Sequence, residues 1–159
     1  MYPIPWYVAL LVSVPQTFLI LLIGFKLYDI DMPLQTGLMV SVFMGFLAYI
    51  VRLFPMPFGL HTLIQITMLV VLISLMTNIK WWQALIANLT GVMITGIFES
   101  TLMPFFLMLT GKTISDFEVQ PWLNVLSFLP LALLLIFFYL GMARYDLVVY
   151  QFKEDKYGL

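Results

Sequence analysis

Ionisable side chains are scarce in this chain: seven Lys or Arg, eight Asp or Glu and one His among 159 residues. Arg52, His61 and Glu99 fall at or inside stretches that are otherwise apolar. An ionisable group at membrane depth is rare, costly and usually paired. Arg52 and Glu99 carry opposite charges and suit an ion pair that staples two helices. The same groups, with His61 and with Gln65 one turn further on, would also suit the lining of a ligand pocket. Bond-making chemistry is harder to find. Cys is absent, which removes thiol nucleophiles and thiolate metal sites. The sole His rules out a multi-His site within one chain. There is no His-Glu-x-x-His motif and no Gly-x-x-x-x-Gly-Lys phosphate loop, and the stretch from Gly91 to Gly96 lacks the Lys. Asp29 and Asp31 fall in an expected loop, not inside a span. The expectation is a protein that is not an enzyme, with no metal and no cofactor.

Small and polar residues recur at helical spacing around these charges. Gly37, Ser41 and Gly45, continued by Ala48, lead to Arg52. Ala84, Asn88, Gly91 and Thr95 lead to Glu99. Small residues at this spacing let helix backbones approach closely, so both stripes are expected to be helix-packing faces. Gln16 and Thr17 add polar groups to the first apolar stretch. If Gln16, Asn88 and Thr95 met near the midplane, they would form a deeper pocket of the kind transport proteins use.

The elements that must position these groups are set by composition. Hydrophobic residues make up 63% of the chain and charged ones 9%, against about 25% charged in an ordinary soluble domain. A span needs about 20 apolar residues. Five candidates satisfy this, at about 6–27, 33–54, 59–76, 81–109 and 121–143. The fold expected is all-α, a bundle of five transmembrane helices over residues 1–143 with a short cytoplasmic tail over 144–159. Pro33 and Pro121 suit the first turn of a helix, and Pro55-Met56-Pro57 breaks the chain between the second and third spans. Trp6, Trp81, Trp82 and Trp122 sit near span ends, as an interfacial aromatic belt would. The N-terminus, Met1 to Tyr7, has no Lys or Arg, so the first span is expected to be retained and not a cleaved signal. Lys26, Lys80, Arg144, Lys153 and Lys156 share one side and only Arg52 and Lys112 the other. The positive-inside rule then places the N-terminus outside and the C-terminus in the cytoplasm.

On that arrangement Glu99 lies about 26 Å along its helix from Trp82, close to the outer surface. Arg52 ends an outward-running helix and His61 begins an inward-running one, so Arg52, His61, Gln65 and Glu99 are expected to converge in the outer third of the bundle. Pro104 is expected to kink the fourth span. The connection from Gly111 to Glu118 is either a lid on the pocket or a solvated link. The tail segment from Asp146 to Phe152 is a candidate contact for a cytoplasmic partner.

The segments from Gly24 to Tyr28, from Tyr49 to Thr62, at Phe98-Glu99 and from Asn124 to Pro130 resemble a known family. The family is the multi-span N-terminal sensor region of Gram-positive sensor histidine kinases of the sporulation or quorum-sensing type. The segment Arg52-Leu-Phe-Pro-Met-Pro-Phe-Gly-Leu-His61 carries most of the likeness. In such kinases a dimerisation helix and an ATP-binding domain follow the last span, and neither is present in this chain. The resemblance therefore implies a sensor module without catalysis in a bacterial plasma membrane, working as a homodimer or with a membrane-protein partner. A small molecule or peptide would be its ligand. The net charge of −1 gives no reason to expect nucleic acid. The alternatives are a structural or accessory subunit of a larger membrane complex and the substrate-binding component of a transporter.

Overall fold

A computed structural model describes residues 5–54 and 60–152, apart from the side chains of Arg52 and Glu118. Pro55, Met56, Pro57 and Gly59, notable in the sequence, lie outside the described residues, as do Lys153 and Lys156.

All regular secondary structure among the described residues is helical. Helix α1 spans Trp6–Leu27, α2 Leu34–Leu53, α3 Leu60–Thr77 and α4 Trp81–Thr110. The short α5 covers Asp116–Val119, and α6 covers Trp122–Tyr145. All but α5 are long and apolar enough to cross a membrane. At 1.5 Å per residue α3 is about 27 Å long and α4 about 45 Å. Helix α6 continues past the expected boundary at 143, so the tail begins at Asp146.

Local sequence explains where the helices stop. Asp29, Asn78, Gly111 and Asp146 follow α1, α3, α4 and α6 with positive φ. Gly, Asn and Asp are the residues that tolerate this left-handed turn, which diverts the chain and lets a following N–H cap a last-turn carbonyl, as Ile30 does on Phe25 and Leu147 on Met142. Pro33 and Pro121 stand immediately before α2 and α6, where their fixed φ suits helix entry. Within α1, the segment Ala9–Ser13 is a π-helix that ends just before Pro15. Proline has no N–H and its ring presses on the carbonyl four residues earlier. Widening the preceding turn relieves that clash.

Helix α1 is the centre of the molecule. It packs on α2, α4 and α6, while α3 bridges α2 and α4. Its two faces carry two separate cores. Leu21 and Phe25 join Val40, Met44, Leu69, Val70, Ile73, Ala84 and Ala87 on the side of α2, α3 and α4. Leu19, Ile23 and Leu27 join Phe128, Leu131, Leu135 and Met142 on the side of α6.

The two stripes of small residues both turn toward α1. Gly37 lies against Phe18 and Gly45 against Val14, with Ser41 buried between them and its hydroxyl donating to the Gly37 carbonyl at 2.7 Å. Ala84, Asn88, Gly91 and Thr95 are buried along α4. The tightest crossing is between α1 and α4. A Cβ on Gly24 would collide with the carbonyl of Ala87, and one on Gly91 with the carbonyl of Ile20. Gly24 belongs to this crossing as much as Gly91 does, though it has no small-residue repeat on its own helix to announce it.

Candidate functional site

The polar groups of α4 do not all find partners. Asn88 and Thr95 are 1% and 2% exposed, and neither side chain has a hydrogen bond among the described residues. Further along the same face, Glu99 is exposed and meets α1. The Gln16 amide donates to Glu99 Oε2 at 3.3 Å. This pair stands on the wall of an open-sided cleft of about 90 Å³ between α1, α4 and α6, near the end of the bundle that holds Trp6. The polar lining is Gln16, Glu99, Asn124 and Ser127, and the apolar lining includes Val12, Met103 and Phe128.

Each helix that walls the cleft carries a proline close to it. Val12 lies in the π-segment of α1, with Gln16 just after Pro15. Pro104 lies inside α4 after Glu99, and Pro130 inside α6 beside Leu131, with both helices continuing past them. The carbonyls of Ser100 and Leu126 thereby lose their helical N–H partners. On α6 the Asn124 amide donates to the Pro121 carbonyl at 3.0 Å, and the Ser127 hydroxyl donates to the Asn124 carbonyl at 3.1 Å.

Of the residues expected to converge on Glu99, two have described side chains, and neither lines the cleft. His61 and Gln65 belong to α3, which contributes nothing to the cleft. The Nε2 of Gln65 is buried without a hydrogen-bond partner among the described residues. The Arg52 side chain lies outside the described residues, and the Arg52–Glu99 pair with it. Gln16 sits with Glu99 at the cleft, while Asn88 is buried further along α4. Sequence reasoning misses Asn124 and Ser127 as lining residues. Their signal is two polar residues one helical turn apart at the start of an apolar span.

Two other segments are tied down. In the connection after α4, the backbone N–H and hydroxyl of Thr113 donate to Asp116 Oδ2 at 2.7 and 2.9 Å. These bonds, the backbone one first, hold the Asp116 carboxyl below its ordinary range. Phe117 is buried against Phe106, at 6.2 Å between ring centroids. The connection is thus folded onto the bundle and adds no residue to the cleft.

At the opposite end the tail folds back on α1. Asp146 turns the chain in the left-handed region. Its carboxylate then pairs with Lys26 Nζ at 2.8 Å. The N–H groups of Val149 and Tyr150 donate to the terminal carbonyl of Leu27 at 2.7 and 3.4 Å. The Gln151 amide donates to Asp29 at 2.9 Å. Phe152 stacks on Tyr28 at 5.1 Å and meets Trp82 edge-on at 4.9 Å. The Tyr28 hydroxyl shares a hydrogen bond with Thr90 on α4 at 2.9 Å. Bonding to Lys26 is the main cause of the Asp146 carboxyl lying below its ordinary range. Residues 146–152 therefore connect α6 to α1 and α4 within the chain itself.

No protein-family model, curated protein or solved structure matches the chain.

Proposed function

We propose that the chain is a multi-pass membrane protein with Trp6 outside and the tail in the cytoplasm. We infer that it is a non-catalytic sensor-like module that binds a small ligand in the cleft of α1, α4 and α6. Lys26, Lys80 and Arg144 lie toward the tail end, while Lys112 lies toward the other, which supports this orientation. The observation that carries the binding reading is the cleft itself, with Glu99 and three neutral polar side chains grouped among apolar ones. Glu99 is an ionisable group inside a candidate span, and such groups are usually paired or functional. Helix α1 supports a relay, because it lines the cleft at Gln16 and holds the tail at Leu27. A shift of α1 on ligand binding would reach residues 146–152, and through them a homodimer mate or another membrane protein.

The test is native mass spectrometry of protein extracted gently from its own membrane. A discrete small molecule bound to the wild type and absent from Ser127→Leu, which fills the cleft, is the expected result. An identical spectrum for both proteins would defeat the reading. A second reading, the substrate-binding component of a transporter, is favoured by the π-segment of α1 beside the cleft. Transport requires the bound molecule to cross proteoliposomes when the partner is supplied, and a sensor does not.

A further inference from the structure

The cleft also has a polarity that selects its ligand, an inference that rests on the cleft being a binding site. One N–H of each lining amide and the Ser127 hydroxyl proton are engaged within the protein, which leaves one N–H on Gln16 and one on Asn124 beside a larger set of acceptors. The Gln16 amide is engaged with Glu99, the Asn124 amide with the Pro121 carbonyl, and the Ser127 hydroxyl with the Asn124 carbonyl. What remains at the lining is mostly acceptor: the carboxylate of Glu99, the side-chain carbonyls of Gln16 and Asn124, and the lone pairs of Ser127. Glu99 Oε1 has no hydrogen-bond partner among the described residues, since Gln16 reaches only Oε2. The proline-freed carbonyls of Ser100 and Leu126 adjoin two lining residues and carry the same sign. Around these groups Val12, Leu102, Met103, Phe128 and Leu131 are apolar.

We propose that the cleft between α1, α4 and α6 binds a primary ammonium group carried on an apolar chain, with Glu99 as its counter-ion. An ammonium offers three N–H donors and a positive charge and accepts nothing. It satisfies the free carboxylate oxygen and the neutral acceptors together. A carboxylate or phosphate would instead bring its negative charge against Glu99. The volume of about 90 Å³ admits a head group, and the open side lets an alkyl chain leave along the apolar walls. Such an ammonium belongs either to an ethanolamine lipid or to a free amine.

The experiment uses the full chain in phosphatidylglycerol nanodiscs, with thermal unfolding measured against hexylammonium, hexanol and hexanoate. Hexylammonium is expected to raise the unfolding midpoint saturably, with hexanol and hexanoate inactive. Glu99→Gln, which keeps the shape and removes the charge, is expected to weaken hexylammonium about tenfold or more. Gln16→Met is expected to weaken it less. If Glu99→Gln fails to fold, the comparison of the three probes on the wild type decides alone. Equal effects of hexanol or hexanoate, or an unchanged response in Glu99→Gln, overturn the ammonium assignment. Should that binding still be lost in Ser127→Leu, the cleft remains a ligand site of another chemistry. No saturable response to any probe overturns the assignment and the binding reading together. Replacing half the lipid with phosphatidylethanolamine distinguishes the sources. Ethanolamine lipid retained by the wild type and not by Glu99→Gln points to the lipid, and its absence beside hexylammonium binding points to a free amine.

Discussion

Asn88 keeps both ends of its amide buried without a partner among the described residues, at the face where α4 meets α1. An unsatisfied buried polar group costs about 1–3 kcal/mol, whereas an apolar group of similar shape costs nothing of that kind. Asn88→Leu is therefore expected to raise thermal stability by an amount in that range, read as a higher unfolding midpoint. A lower midpoint would mean that Asn88 has a partner in the working protein. The neighbouring glycines behave oppositely. Gly24→Leu or Gly91→Leu drives a side chain into a facing backbone carbonyl, and overpacking of this kind costs about 1–3 kcal/mol. Gly96→Leu, with open space around it, is the control expected to leave the midpoint unchanged. At this scale the sequence is only partly legible. Glu99 declares itself as a charge in an apolar run, but its partner depends on the rotation of α4 about its own axis. The stripe through Asn88 and Gly91 fixes which side of α4 is packed without saying against which helix.

Helix α1 and the tail are joined outside the cores by an ion pair, backbone hydrogen bonds and a ring stack. Asp146 is depressed in its docked state, so its contribution to docking is complete above its ordinary value of about 3.9. That contribution is lost as the pH falls through the lowered docked value. Amide exchange at Val149 and Tyr150 is accordingly expected to accelerate at acid pH in the wild type. Asp146→Asn is expected to show fast exchange at every pH. Phe152→Ala removes the ring between Tyr28 and Trp82 and is expected to free the same amides, with a change in Trp82 fluorescence. If Val149 stayed protected in both variants, the carbonyl of Leu27 alone would be holding the tail. The span positions are legible from hydropathy because each helix must bury or coat an apolar run. The fold-back of residues 146–152 is not, because it depends on a left-handed turn at Asp146 and on long-range bonds to Leu27 and Asp29. The π-segment is equally hidden, although Pro15 marks its place.

Across the whole molecule, the decisive fact is that α1 divides two cores and serves both. The sequence shows five runs of apolar residues, but their order around one another is set by which faces carry Gly24, Gly37, Gly45 and Gly91. Glu99 therefore falls on the α6 side of α1, while α3, with His61 and Gln65, packs on α2 and α4. Orientation is tested directly because the chain has no Cys. A single Cys placed at Ile114 is expected to react with a membrane-impermeant maleimide applied to intact cells. One placed at Tyr150 is expected to react only after lysis. The reverse pattern would invert the topology.

The unequal lengths of α3 and α4 bear on the lipid around them. The two helices are neighbours, yet the described part of one covers about 27 Å and the other is about 45 Å long, against a hydrocarbon core of about 30 Å. In the membrane setting proposed above, the lipid annulus would thin along one flank and thicken, or let α4 tilt, along the next. Embedded in this way, the protein would act as a wedge in the thickness of its bilayer. It is expected to gain stability in nanodiscs of one acyl length and to lose it in both shorter and longer ones. In a membrane of patchy thickness it would gather at the seams.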